Sequence, residues 1–145
     1  LMAEVLKTGK AFRFQASGFS MDPFIKDGDI LTLVSLTHRL YKIGNVLAFN
    51  HPHTNNLTVH RVVTRNLKTY LMKPDNGLRT DGWIKHKEVI GMVRSVERGG
   101  TMIKFGLGWE KWWIAQLSRR NTLTPTIRTL WRFIPKFIKR KINGK

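Results

Sequence analysis

From residue 12 to about residue 96, apolar and β-branched residues recur in short runs between clusters of Gly, Asp, Asn and Pro, the pattern of strands joined by turns. Residues 29–36 read as a strand after the Asp27-Gly28 turn. Residues 46–49 follow Gly44-Asn45 and are closed by the polar, proline-containing stretch 51–56. Residues 57–64 come next. Side chains alternate along a strand, so Leu57, Val59, Arg61 and Val63 are expected on one face and Thr58, His60, Val62 and Thr64 on the other. Residues 69–72 and 89–96 complete the set, with Asp75-Asn76-Gly77 and Asp81-Gly82 as turns. The pattern predicts a mainly β body of twisted antiparallel sheet.

After Gly99-Gly100 the period changes. Trp109, Trp112, Trp113 and Leu117 fall at helical spacing, as do Ile127, Leu130, Trp131, Ile134 and Ile138, with Arg128, Arg132 and Lys139 between them. Two basic amphipathic helices are expected. Thr124-Pro125 suits a helix start, because proline at the first helical position forfeits no hydrogen bond, and Pro135 should interrupt the second helix. The chain thus divides into residues 1–100, a β domain, and residues 101–145, a basic helical extension.

A hydrophobic fraction of 41% supplies a core for one domain in 145 residues, which excludes a disordered chain. The net charge of +17 requires a face that meets an anionic partner. From Lys104 onward eleven basic residues stand against the single acid Glu110, which places ten of those net charges in the extension. With no cysteine, disulfides, thiolate metal sites and cysteine nucleophiles are excluded. No run approaches the roughly 18 apolar residues of a membrane span, and the first residues carry no signal-peptide pattern. The opening Leu1-Met2 leaves both a trimmed N-terminus and a start at Met2 open.

Four segments carry the candidate chemistry. They are Ser17-Gly18-Phe19-Ser20-Met21-Asp22-Pro23, then Gly44-Asn45-Val46-Leu47-Ala48-Phe49, then Thr58-Val59-His60-Arg61-Val62-Val63, and last Lys73-Pro74-Asp75-Asn76-Gly77 through Asp81, leading into Val89-Ile90-Gly91-Met92-Val93. In this order they resemble the boxes of the signal peptidases: G-x-S-M-x-P around the nucleophile, G-D-[IV]-V-x-F, the general-base box, and K-G-D-N-N with downstream acids before V-x-G-x-V. The resemblance spans roughly residues 17 to 93. It implies Ser20 as nucleophile and His60 as base, the histidine marking the endoplasmic-reticulum and archaeal type. It further implies Asp81 as the acid that orients the histidine, and Asp75 as an assisting or structural acid.

These residue types suit the reaction. A serine hydroxyl attacks a peptide carbonyl when an adjacent base takes its proton, a task for imidazole with its reference pKa of about 6.5. A carboxylate then fixes the imidazole tautomer and steadies its cation. The oxyanion needs donors. Many signal peptidases supply one from a serine two positions before the nucleophile, where this chain has Gly18, so the Ser20 N–H and Ser17 take that part. Asn45 and Pro74 are further departures, at positions usually held by aspartate and glycine.

The resemblance implies a β fold of the signal peptidase and LexA type. Its substrate would be a leader or precursor peptide, extended along a strand edge, with small residues at and two before the cut. No cofactor and no metal are expected. His51 and His53 flank Pro52 but have no further ligands near them in sequence. A LexA-type self-cleaving regulator is one rival, disfavoured by histidine at the base position and by the lack of an Ala-Gly bond. A catalytically silent membrane or nucleic-acid binding module on the same scaffold is the other. For the extension, the tryptophans either pack on the β body or sit at an anionic membrane interface. Peripheral membrane association is the favoured expectation and nucleic acid the lesser one.

Overall fold

The computed structural model describes residues 1–36 and 39–143, with side chains through residue 140. Lys145 and the side chain of Lys141, both counted in the basic extension, lie outside that description. Among the described residues eight strands form one antiparallel sheet: β1 (Phe12–Gln15), β2 (Ile30–Val34), β3 (Val46–Asn50), β4 (Leu57–Arg65), β5 (Thr69–Lys73), β6 (Gly82–Lys85), β7 (Val89–Arg98) and β8 (Thr101–Ile103). Their order is β1-β2-β7-β3-β4-β5-β6, with β8 paired to the end of β7, and the sheet does not close into a barrel. The helices are α1 (Met2–Lys7), α2 (Lys111–Arg119), α3 (Leu123–Phe133) and α4 (Lys136–Asn143). The expected mainly β body with a helical C-terminal extension is what forms.

Strand β3 shows why the sheet needs no polar face. Val46 and Ala48 pack with Leu31, Leu33, Val93 and Val96, while Leu47 and Phe49 pack with Val62, Tyr70, Met72 and Ile84. Alternation along one strand therefore feeds two apolar clusters, and the central strand is covered on both sides. Leu6 of α1 and Met21 and Ile25 of the turn after β1 close the first cluster. In β4 the predicted alternation holds to Val62, where a register shift before Thr64 leaves Val63 as the extra residue. His60, Arg61, Val62 and Val63 are all buried.

Residues 101–119 share the body's structure. β8 extends the sheet, and α2 buries Ile114, Ala115 and Ser118. Ile114 and Leu123 meet Phe24 in a third small cluster. Trp112 and Trp113 of α2 stay outside, 45% and 58% exposed, as does Trp109 before it, so the helix packs through its smaller residues. Helix α3 begins at Leu123, two residues before Pro125, and Pro135 separates it from α4 as its missing N–H and ring dictate.

Candidate active site

Ser20 lies on the turn between β1 and β2. Met21, Phe24 and Ile25 are buried, each contributing about 1.5–3 kcal/mol by leaving water, and they pull the turn onto the body while Ser20 itself stays exposed. Three aspartates shape or flank this turn. Asp29 accepts from Arg98 Nε at 2.8 Å and Nη2 at 2.7 Å, and from the Lys26 N–H at 2.8 Å. Asp27 accepts from the Gly18 N–H at 2.8 Å. Asp75 governs the facing loop, described below.

The Gly18 bond explains a departure seen in the sequence. Gly18 has φ of +93°, a conformation L side chains rarely adopt, so the backbone here favours glycine where signal peptidases often carry serine. Its own N–H is taken by Asp27. The Ser20 N–H has no hydrogen-bond partner among the described residues, and Ser17 lines the same cavity as Ser20.

His60 sits in the middle of β4, paired across to Leu47 of β3. Its Nδ1 lies 2.6 Å from Asp81 Oδ2. Asp81 is placed by its backbone, whose N–H donates to the Met72 carbonyl at 2.8 Å just before β6 begins. An imidazole bonded to a carboxylate through Nδ1 carries its proton there and presents Nε2 as the free base. His60 and Ser20 line one cavity of about 440 Å³, together with Ser17, Gly18, Phe14 and Val59. No lysine is among the described residues that line it.

Asp75 is placed apart from this pair. It is fully enclosed with Arg61, whose Nε and Nη2 donate to its two oxygens at 2.8 and 2.7 Å. Arg61 is 0% exposed, and its Nη1 also donates to the carbonyls of Gly44 at 2.9 Å and Gly106 at 2.7 Å. All of this guanidinium's bonding goes to holding loops together, which makes Asp75 a structural acid in this geometry. The next residue completes the linkage: the Asn76 N–H donates to the Ser20 carbonyl at 2.9 Å and its side-chain amide to the Phe19 carbonyl at 3.1 Å. Arg61 adjoins His60 on β4, so a chain of bonds runs from that strand through Asp75 and Asn76 to the backbone of Ser20.

Sequence reasoning assigned no role to Arg61, Asn76, Asp27 or Arg98. Asn76 and Arg61 stand inside the motif boxes, which gave a signal for them; Arg98 lies 69 residues from Asp29 and gave none. His51 also reaches the site, its Nε2 4.0 Å from Asp81 Oδ1, so the acid lies under two imidazoles. Among the described residues no group of three or more His, Asp or Glu is placed to hold a metal ion.

Two other features stand apart from this pair. Lys73 is buried, and this pushes its pKa below the ordinary 10.5, with the Asp75 carboxylate opposing the shift. Its ammonium donates to the Gly77 carbonyl and to Ser118 Oγ at 3.2 Å, tying β5 to α2. A larger cavity of about 750 Å³ lies between α3 and the residues after Ser20. Its lining includes Phe105, Ile127, Trp131 and Ile134, and neither Ser20 nor His60.

No protein-family model matches the chain, and no curated protein matches it.

Proposed function

We propose that the chain is a serine endopeptidase of the signal peptidase type, with Ser20 as nucleophile, His60 as general base and Asp81 as the acid that orients it. The observation that carries this reading is that His60, bonded at 2.6 Å to Asp81, lines the same cavity as Ser20. A histidine merely packed in a strand has no need of a carboxylate on one ring nitrogen and a serine on the cavity that it lines. The absence of lysine from the cavity's described lining favours this over a Ser-Lys self-cleaving regulator.

In the proposed reaction Ser20 Oγ bonds to the scissile carbonyl carbon while its proton passes to His60 Nε2. The oxyanion is met by the Ser20 N–H, with the Ser17 hydroxyl as second donor. The C–N bond then breaks as His60 returns the proton to the leaving amine, giving an acyl-enzyme and the released C-terminal fragment. Water, deprotonated by His60, attacks the ester and frees the N-terminal fragment together with Ser20.

The sheet offers the substrate a place. Among the described residues β1 pairs only with β2, and β5 pairs with β4 only from Arg61 onward, leaving residues 57–60 without a strand partner on that side. Phe14, Gln15 and Ala16 face Leu57, Thr58 and Val59 across the cavity, so an extended peptide entering there would bond through its main chain to open strand edges. Small residues before the cut are the preference that this reading adopts from the signal peptidase resemblance. Incubation with a diverse peptide library, read by mass spectrometry, tests it. Cleavage after small residues that disappears in Ser20→Ala is expected; no cleavage, or equal cleavage by the variant, would overturn the reading.

A further inference from the structure

Helix α3 begins as a packed element and ends as an exposed one. Leu123 is buried, and Ile127 packs against the cluster of Phe24 and Ile114. One turn further on the support ends: Leu130 is exposed, Phe133 is 80% exposed and Phe137 of α4 is 73% exposed. Large apolar side chains in such number on two short helices are unusual for a surface facing water alone.

The charges are arranged in the same way. Arg128, Arg132, Lys136 and Arg140 are exposed between these apolar residues, and neither helix contains an acid. Among the described residues no ion pair involves a cation of α2, α3 or α4. The extension's one acid, Glu110, is occupied by the Gly106 N–H at 2.6 Å. The positive charge of these helices is therefore uncompensated from within.

We propose that α3 and α4 form a docking surface for an anionic phospholipid bilayer, lying in the headgroup zone with Leu130, Phe133 and Phe137 directed toward the acyl chains. Nucleic acid would take the cations but leave the phenylalanines and leucine in water; an acidic bilayer surface satisfies both sets. The exposed Trp109 and Trp113 at the start of α2 add side chains of the type that prefers the headgroup zone. No helix of the described residues is long and apolar enough to cross a membrane, so the contact proposed is peripheral. This surface does not depend on the peptidase reading.

Sedimentation of the full chain with vesicles tests the proposal, comparing phosphatidylcholine alone with an equimolar mixture of phosphatidylcholine and phosphatidylglycerol. Two variants are measured beside it: Leu130→Ser/Phe133→Ser/Phe137→Ser and Arg128→Glu/Arg132→Glu/Lys136→Glu. All six positions are exposed, and circular dichroism verifies that each variant folds. The expected result is binding to the anionic vesicles only, weakened by salt, and at least about tenfold weaker in each variant. Equal binding to both vesicles, binding to neither, or full binding by either variant would overturn it. So would a salt-sensitive gel shift with a DNA duplex or a single-stranded RNA by a protein that ignores both vesicles.

Discussion

All five aspartates of the chain fall in two segments, residues 22–29 and 75–81, which meet around Ser20, whereas the 37 residues from Trp109 to the end contain one acid among ten cations. Around Ser20 four of the five are engaged, Asp29 with Arg98, Asp75 with Arg61, Asp81 with His60, and Asp27 with a backbone N–H, while Asp22 has a buried Oδ1 with no partner among the described residues. Among the described residues no cation of α3 or α4 pairs with an acid. The contrast separates two uses of charge. Buried, directional pairs fix side-chain geometry to within a hydrogen bond and are little affected by salt. Exposed like charges on a helix fix nothing locally and act on whatever anionic surface approaches.

The largest effects should come from the inner set. Ser20→Ala and His60→Ala are each expected to lower kcat/KM on a cleaved peptide by about 10⁴-fold or more, with the fold intact by circular dichroism. Asp81→Asn should fall by about 10²- to 10⁴-fold, because the amide cannot hold the same imidazole tautomer.

The next effect distinguishes the two acids of one loop. Asp75→Ala strands a guanidinium that is wholly buried, and is expected to cost about 3–5 kcal/mol of stability in urea unfolding. Asp81→Asn should cost far less stability while damaging activity more. If the two variants exchanged these effects, the assignment of structural and catalytic acid would have to be reversed.

Changes in the outer set should be small when no membrane is present. Arg128→Glu/Arg132→Glu/Lys136→Glu is expected to alter stability by about 0.5 kcal/mol or less and to leave cleavage of a soluble peptide within about twofold of wild type. A large loss on the soluble peptide would show that α3 supports the reaction site directly.

Lys73 gives the mildest test. Its pKa is held below the ordinary 10.5 by burial, so between that lowered value and 10.5 the unfolded chain binds more protons than the folded one. Stability should therefore gain from this residue as pH rises through that window, a slope that Lys73→Met removes when urea unfolding is compared across it.

Much of this division was legible in the sequence, and the rest was not for definite reasons. The five predicted strands all form, because each is an apolar or alternating run bounded by turn residues. The short strands Phe12–Gln15, Gly82–Lys85 and Thr101–Ile103 were given no bounds of their own, since three or four residues hold too little periodicity to mark them. The pairing of His60 with Asp81 was readable from the order of the boxes. The roles of Arg61 and Asn76 were not, because each depends on contacts with residues 14 to 57 positions away. The alternation in β4 predicted two distinct faces for His60 and Arg61, but not that α2 and the Gly106 turn would bury the arginine's face.

The central claim is that Ser20 is a hydroxyl activated by His60. Treatment with a fluorophosphonate, followed by mass spectrometry of the digested protein, tests it directly. The account predicts a stoichiometric adduct on Ser20 that is lost when His60 is changed to alanine. An unlabelled Ser20, or labelling that persists without the His60 imidazole, would contradict it.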